Sequence, residues 1–145
     1  MSTAPIATLY ASVELIPLTA EQQQRVEEAA ALIYRPCCDN STLFPDCNHG
    51  MAMLGLLELM ASEDATVDEM LAAAKYVNAY WFPQQALETA VYLATSQGID
   101  FARAAPRLVT SNAISSGSGF AALHKSLEVS GLLPEGSGGS GSCAN

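Results

Sequence analysis

Apolar positions recur at three- and four-residue spacing along most of this chain, which is the period of an amphipathic helix. Thr19 and Gln22 stand in capping-box spacing ahead of Val26, Ala29, Ala30, Ile33 and Tyr34. That pattern predicts a helix from about residue 20 to Arg35, stopped by Pro36. A polar break follows, and then Met53, Leu56, Leu57 and Met60 fall on one face of a second helix, Gly50 to Ser62. Thr66 and Glu69 repeat the capping box ahead of Val67, Met70, Leu71, Ala74, Val77 and Trp81, the buried stripe of a third. Pro83 opens a fourth, striped by Ala86, Leu87, Ala90, Val91 and Ala94, with Gly98 where a left-handed cap belongs.

Beyond Gly98 the period breaks up. Asp100 to Arg107 reads as one or two helical turns, and Thr110 to Ser118 as a serine-rich interruption. A last helix is predicted from Gly119 to Ser130 through Phe120, Leu123 and Leu127, with Gly131 as its cap. The only strand-like alternation is Ile6 to Pro17, and no internal repeat is present. Short connections favour antiparallel neighbours, so the expected fold is all-α: a compact bundle of four to five helices. We expect one helical domain over residues 1–133 and a Gly/Ser-rich tail over 134–145, linker-like in composition, in which Cys143 is the residue able to serve as an anchor.

Half of the 145 residues are apolar, enough for one domain to bury its own core. With 15 acidic against 6 basic side chains, nothing replaces the counterions of a nucleic acid, and an anionic membrane surface is disfavoured too. The longest apolar stretch, Met51 to Ala61, contains Glu58 and falls well short of the roughly 20 residues of a spanning helix. The chain therefore reads as soluble, without membrane insertion. Its first residues, Met-Ser-Thr-Ala-Pro-Ile, lack the basic patch and unbroken apolar core of a signal peptide.

Chemistry concentrates in the polar break. Arg-Pro-Cys-Cys-Asp-Asn-Ser-Thr-Leu-Phe-Pro-Asp-Cys-Asn-His-Gly, residues 35–50, holds three of the four cysteines and one of the two histidines. Soft thiolates and an imidazole crowded into one loop are the donor set of a transition-metal site. Cys37, Cys38, Cys47 and His49 are the expected ligands, with Cys143 as a further donor if the tail folds back. The start of the second helix favours a nearby thiolate through its free amides and dipole. Met53, one turn beyond His49, would add a thioether and tilt the site toward Cu(I); zinc is the other expected ion, ahead of an iron–sulfur cubane, whose ligand count four cysteines would meet. Asp39, Asp46, Glu63 and Asp64 are outer acceptors or solvating loop residues.

The competing reading of an even cysteine count is disulfide bonding, Cys37 with Cys47 and Cys38 with Cys143, in an accessory or structural subunit of a larger assembly. A third is thiol–disulfide redox through Cys37 or Cys38. His124 reads as a packed helical histidine. Met51, Met53, Met60 and Met70 read as core, and Tyr76, Tyr80, Trp81, Phe82 and Tyr92 as core and bundle rim. No phosphate loop, dinucleotide fingerprint or nucleophile–base set is present, so an enzyme is not the leading reading.

At Pro36, Cys37, Cys38, Cys47 and the helix Gly50 to Ser62 the chain resembles the bacterial PCYCGC-motif proteins, exported lipoproteins taken to bind metal. Cys37-Cys38 stands in place of their Cys-Tyr-Cys-Gly-Cys run, and Asn48-His49-Gly50-Met51 in place of the second cysteine cluster. The resemblance implies metal binding and an extracytoplasmic setting.

Overall fold

A computed structural model describes residues 15–133. Among these residues every regular element is a helix: α1 (Ala20–Leu32), α2 (Asn48–Ser62), α3 (Val67–Trp81), α4 (Pro83–Gln97), α5 (Pro106–Val109), α6 (Asn112–Ser115) and α7 (Gly117–Val129). The all-α expectation is met, with five helices of 13 to 15 residues and two single turns of four. Cys143 and most of the Ile6 to Pro17 alternation lie outside the described residues.

Local signals set most helix ends. Thr19 and Thr66 each accept from the backbone of the residue three positions on, while Gln22 and Glu69 reach back to the cap amides. Removing the α3 cap by Thr66→Ala is expected to lower stability by about 1 kcal/mol in chemical denaturation. Pro83 opens α4, and Gly98 closes it in the left-handed region at φ 64°.

At the end of α1 and in the serine-rich stretch the structure differs from expectation for tertiary reasons. α1 ends at Leu32 rather than Arg35 because Ile33 turns extended and the next backbone groups bond elsewhere. Thr42 donates to the Ile33 carbonyl at 2.9 Å, Tyr34 donates to Thr110 at 2.9 Å, and Asn78 Nδ2 donates to the Tyr34 carbonyl at 2.8 Å. Arg35, preceding a proline, is disfavoured in helix anyway. The serine-rich interruption is itself helical in part, forming α6 and the start of α7 at Gly117, where Ser116 Oγ accepts from the Gly119 amide at 2.9 Å. A Cβ on Gly119 would strike the backbone of Asn112 and Ala113, so glycine is what lets these two helices stack end to end.

The largest core cluster joins Val26, Ala29, Ala30 and Ile33 to Met53, Leu57 and Ala61 of α2 and to Met70, Leu71 and Ala74 of α3. Phe120, Leu123 and Leu127 of α7 pack with Ile114 against Val91 and Tyr92 of α4, and Leu93, Ala104 and Val109 form a third, smaller cluster. Met51 departs from its expected core place: it is half-exposed at the surface of the first turn of α2. Of the aromatic group expected at core and rim, Tyr76 and Tyr80 are exposed at the rim, and Trp81, Phe82 and Tyr92 are partly buried.

Candidate metal centre

The loop between α1 and α2 is gripped by three helix ends. Its exit from α1 is fixed by the bonds of Ile33 and Tyr34. Its return begins α2, where the sulfur of Cys47 takes the N-cap position and accepts from the Gly50 amide at 3.4 Å. α2 thus starts at Asn48, two residues before the expected Gly50, and His49 lies in its first turn. The third grip comes from α7, whose first amides donate to the loop, Gly117 to the Cys38 carbonyl at 2.9 Å and Ser118 to Asp39 Oδ1 at 2.7 Å. The Ser118 amide, aided by the Ser118 and Ser116 hydroxyls, holds the Asp39 carboxyl below its ordinary pKa.

Held this way, the loop brings its sulfurs together. The Sγ of Cys37 lies 3.8 Å from that of Cys47 and 4.0 Å from that of Cys38. Bonded sulfurs would be about 2.05 Å apart, so the Cys37–Cys47 pair of the competing disulfide reading stands unbonded in this structure. Two sulfurs bound to one tetrahedral ion at about 2.3 Å stand about 3.8 Å from each other, and the Cys37–Cys47 pair has that spacing. His49 joins them: the donor atoms of Cys37, Cys47 and His49 lie within 4.8 Å of one another, and so do those of Cys38, Asp46 and Cys47. The four expected described residues fall into two triads that share Cys47, the second completed by Asp46, which the sequence placed only as an outer acceptor or solvating residue; this cluster can hold a metal ion.

The imidazole is oriented by packing. The ring of His49 lies 4.8 Å from that of Phe82 and 5.3 Å from that of Trp81, tilted to both. Met53 is fully buried in the α1–α2–α3 core, which gives its thioether a packing role. His124, in the apolar region of α7, makes a bond that its spacing did not foretell: Nδ1 lies 2.7 Å from Oε2 of Glu88, a carboxylate that is itself almost fully buried and also accepts from Gln84. The Glu63 and Asp64 carboxylates are absent from both triads. Asp64 instead accepts from Arg25 at 3.0 Å and Gln22 at 3.1 Å, pinning the α2–α3 turn to α1.

Arg35 is the functional residue that periodicity and ligand counting passed over. Its side chain is fully buried beneath the loop, donating from Nη1 to Thr42 Oγ1 at 2.7 Å and from Nη2 to Cys38 Sγ and the Asn40 carbonyl, each at 3.4 Å. The nearest described carboxylate, Asp46, is 4.0 Å away and half-exposed. A buried guanidinium favours facing negative charge, which these sulfurs offer when ionised. Burial works against the charge of Arg35, yet Cys38, Cys47 and Cys37 facing it raise its pKa above the ordinary arginine value. In return, although burial pushes the Cys47 thiol up, the Gly50 amide, the Cys37 side chain and Arg35 outweigh that and bring it below its ordinary value. The signal available in the sequence was a cation immediately ahead of Pro-Cys-Cys.

Gly50 lets this assembly close. A Cβ there would stand 2.9 Å from the Pro45 Cα, closer than real contacts allow, and 3.0 Å from Arg35 Nη2, which would have to give way. Gly50→Ala is therefore expected to cost about 1–3 kcal/mol through overpacking and to weaken any bound metal, read by thermal melts of metal-free and metal-loaded protein.

The chain matches no family model, no curated protein and no solved structure. No helix among the described residues is long and apolar enough to cross a membrane.

Proposed function

We propose that the loop between α1 and α2 binds a transition-metal ion, zinc or copper(I), through Cys37, Cys47 and His49, with Cys38 completing the set, for handling or delivery of the ion. The observation that carries this reading is the 3.8 Å separation of the Cys37 and Cys47 sulfurs with His49 inside the same group. The resemblance at Pro36, Cys37, Cys38 and Cys47 to the PCYCGC-motif proteins points the same way. With Met53 committed to the core, the softness argument for copper weakens. Three thiolates and one imidazole are a common zinc set, and its single net negative charge would be matched by Arg35.

Delivery, rather than a sealed structural site, is supported by position. The three cysteines and His49 are only partly buried, Asp46 is exposed, and Leu43 and Phe44 stand exposed on the loop itself. An apolar rim beside a reachable ion suits transfer to another protein.

Elemental mass spectrometry on protein purified without a metal-affinity resin, run beside a thiol count before and after reduction, tests the reading. About one equivalent of zinc or copper is the expected result. No metal, with thiols appearing only after reduction, would overturn it in favour of a disulfide-bridged subunit.

A further inference from the structure

The sulfurs that would hold an ion are also placed to bond to each other. Cys37 Sγ lies 3.8 Å from Cys47 Sγ, so closing a disulfide at about 2.05 Å asks for a sulfur movement of only about 2 Å. The helix need not unwind for it. The Cys47 carbonyl accepts from the Met51 amide at 2.9 Å, and α2 keeps that backbone bond when the Cys47 sulfur swings away from the Gly50 amide. The sulfurs of Cys37, Cys38 and Cys47 belong to partly buried residues, which a small oxidant reaches more easily than a folded disulfide partner does.

The members of the pair differ in their surroundings. Cys47 Sγ takes the N-cap position of α2, accepts from the Gly50 amide and faces the Arg35 guanidinium. A helix N-terminus with a cation beside it is where a cysteine sulfur is a strong nucleophile. Cys37 stands next to it as a second thiol, the arrangement in which an oxidised cysteine is resolved into a disulfide. Cys38 is a poor partner for Cys37 although their sulfurs lie 4.0 Å apart, because a bridge between adjacent residues closes an eight-membered ring and distorts the peptide between them.

We propose that Cys37 and Cys47 form a switch driven by hydrogen peroxide, in which the two sulfurs become a disulfide and the loop lets go of its ion. The Cys47 thiolate attacks one peroxide oxygen, the O–O bond breaks, and hydroxide leaves with the electron pair, giving a sulfenic acid on Cys47. The Cys37 sulfur then attacks the Cys47 sulfur. The S–S bond forms, the S–O bond breaks, and the hydroxyl departs with the Cys37 proton as water. Two thiols have lost two electrons to one O–O bond. The bridge takes two donors from the group of Cys37, Cys47 and His49, and the shared sulfur from the group of Cys38, Asp46 and Cys47. Release of the ion rests on the metal reading, whereas formation of the bridge does not.

The test treats the full reduced chain, metal-free and zinc-loaded, with about one equivalent of hydrogen peroxide. Cleavage before Asp39 and Asp46 puts Cys47 and the Cys37-Cys38 pair on separate peptides for mass spectrometry. The metal-free chain is expected to lose two thiols and two hydrogens in mass, with those peptides joined, and Cys38→Ser should do the same. Cys37→Ser should instead hold Cys47 as a sulfenic acid that dimedone captures. Should a variant misfold, fragmentation between Cys37 and Cys38 in the joined peptide of the natural chain assigns the bonded sulfur. Thiols untouched by peroxide, a bridge to Cys143, or a bridge that persists in Cys37→Ser overturns the proposal. The zinc-loaded chain should release its ion in step with the bridge, read with a zinc-binding dye, and zinc kept by the bridged chain overturns the switch. A reduced chain that takes up no zinc defeats the metal reading instead, and the metal-free arm still decides the bridge.

Discussion

Cys47→Ser is expected to lose its metal while keeping its fold. Cys47 is the one residue common to both donor triads, so its removal leaves neither intact. Loss of an outer hydrogen-bond partner of a metal site already costs about 10–100-fold in affinity, and loss of a shared ligand should exceed about 100-fold. The same sulfur caps α2, and serine is among the preferred capping residues, so the helix start is retained. At mildly acidic pH, where the Cys47 thiolate contributes least, the unfolding midpoint of the metal-free protein should then barely move. Cys38→Ser, by contrast, touches one triad and should weaken retention less. Metal stoichiometry after dialysis against a weak chelator, read beside a circular dichroism melt, separates the two variants. Full retention by Cys47→Ser would place the ion elsewhere.

What could be read from the chain divides along the line between local and tertiary causes. The capping boxes at Thr19 and Thr66, Pro83 at the first position of α4 and Gly98 just past its end are near-neighbour effects, and the helices they bound are found where periodicity puts them. Leu32 ends α1 because backbone groups of Ile33 and Tyr34 bond to Thr42, Thr110 and Asn78, partners up to 76 positions away. No window of local sequence contains that information. The cysteine loop was visible because donor residues are rare and clustered there. That its sulfurs converge depends on α7, whose first amides hold Cys38 and Asp39 from 79 positions along the chain. Arg35 was harder still: the sequence places it only at the end of the first helix, and only the fold shows it buried under three sulfurs.

Arg35→Met is the substitution with the largest expected effect on stability. Methionine replaces most of the buried stem but removes the hydrogen bonds to Thr42, Asn40 and Cys38 and the charge that the sulfurs face. Breaking one side of a buried charged cluster costs about 3–5 kcal/mol, more than the net worth of the hydrogen bonds alone. The pH dependence tests the charge directly. Cys47 ionises in the folded protein below its ordinary value, so in metal-free reduced protein its contribution is fully present above the unfolded thiol's pKa and fades as pH falls through the lower folded pKa. The stability gap between the natural chain and Arg35→Met should therefore widen from mildly acidic to alkaline conditions. A double-mutant cycle with Cys47→Ser then assigns the cause. If the guanidinium serves the thiolate, the two substitutions couple by about 1 kcal/mol or more at alkaline pH, and Arg35→Met costs less once the sulfur is gone. If Arg35 only ties the loop to Thr42 and Asn40, the costs add and the gap is flat with pH.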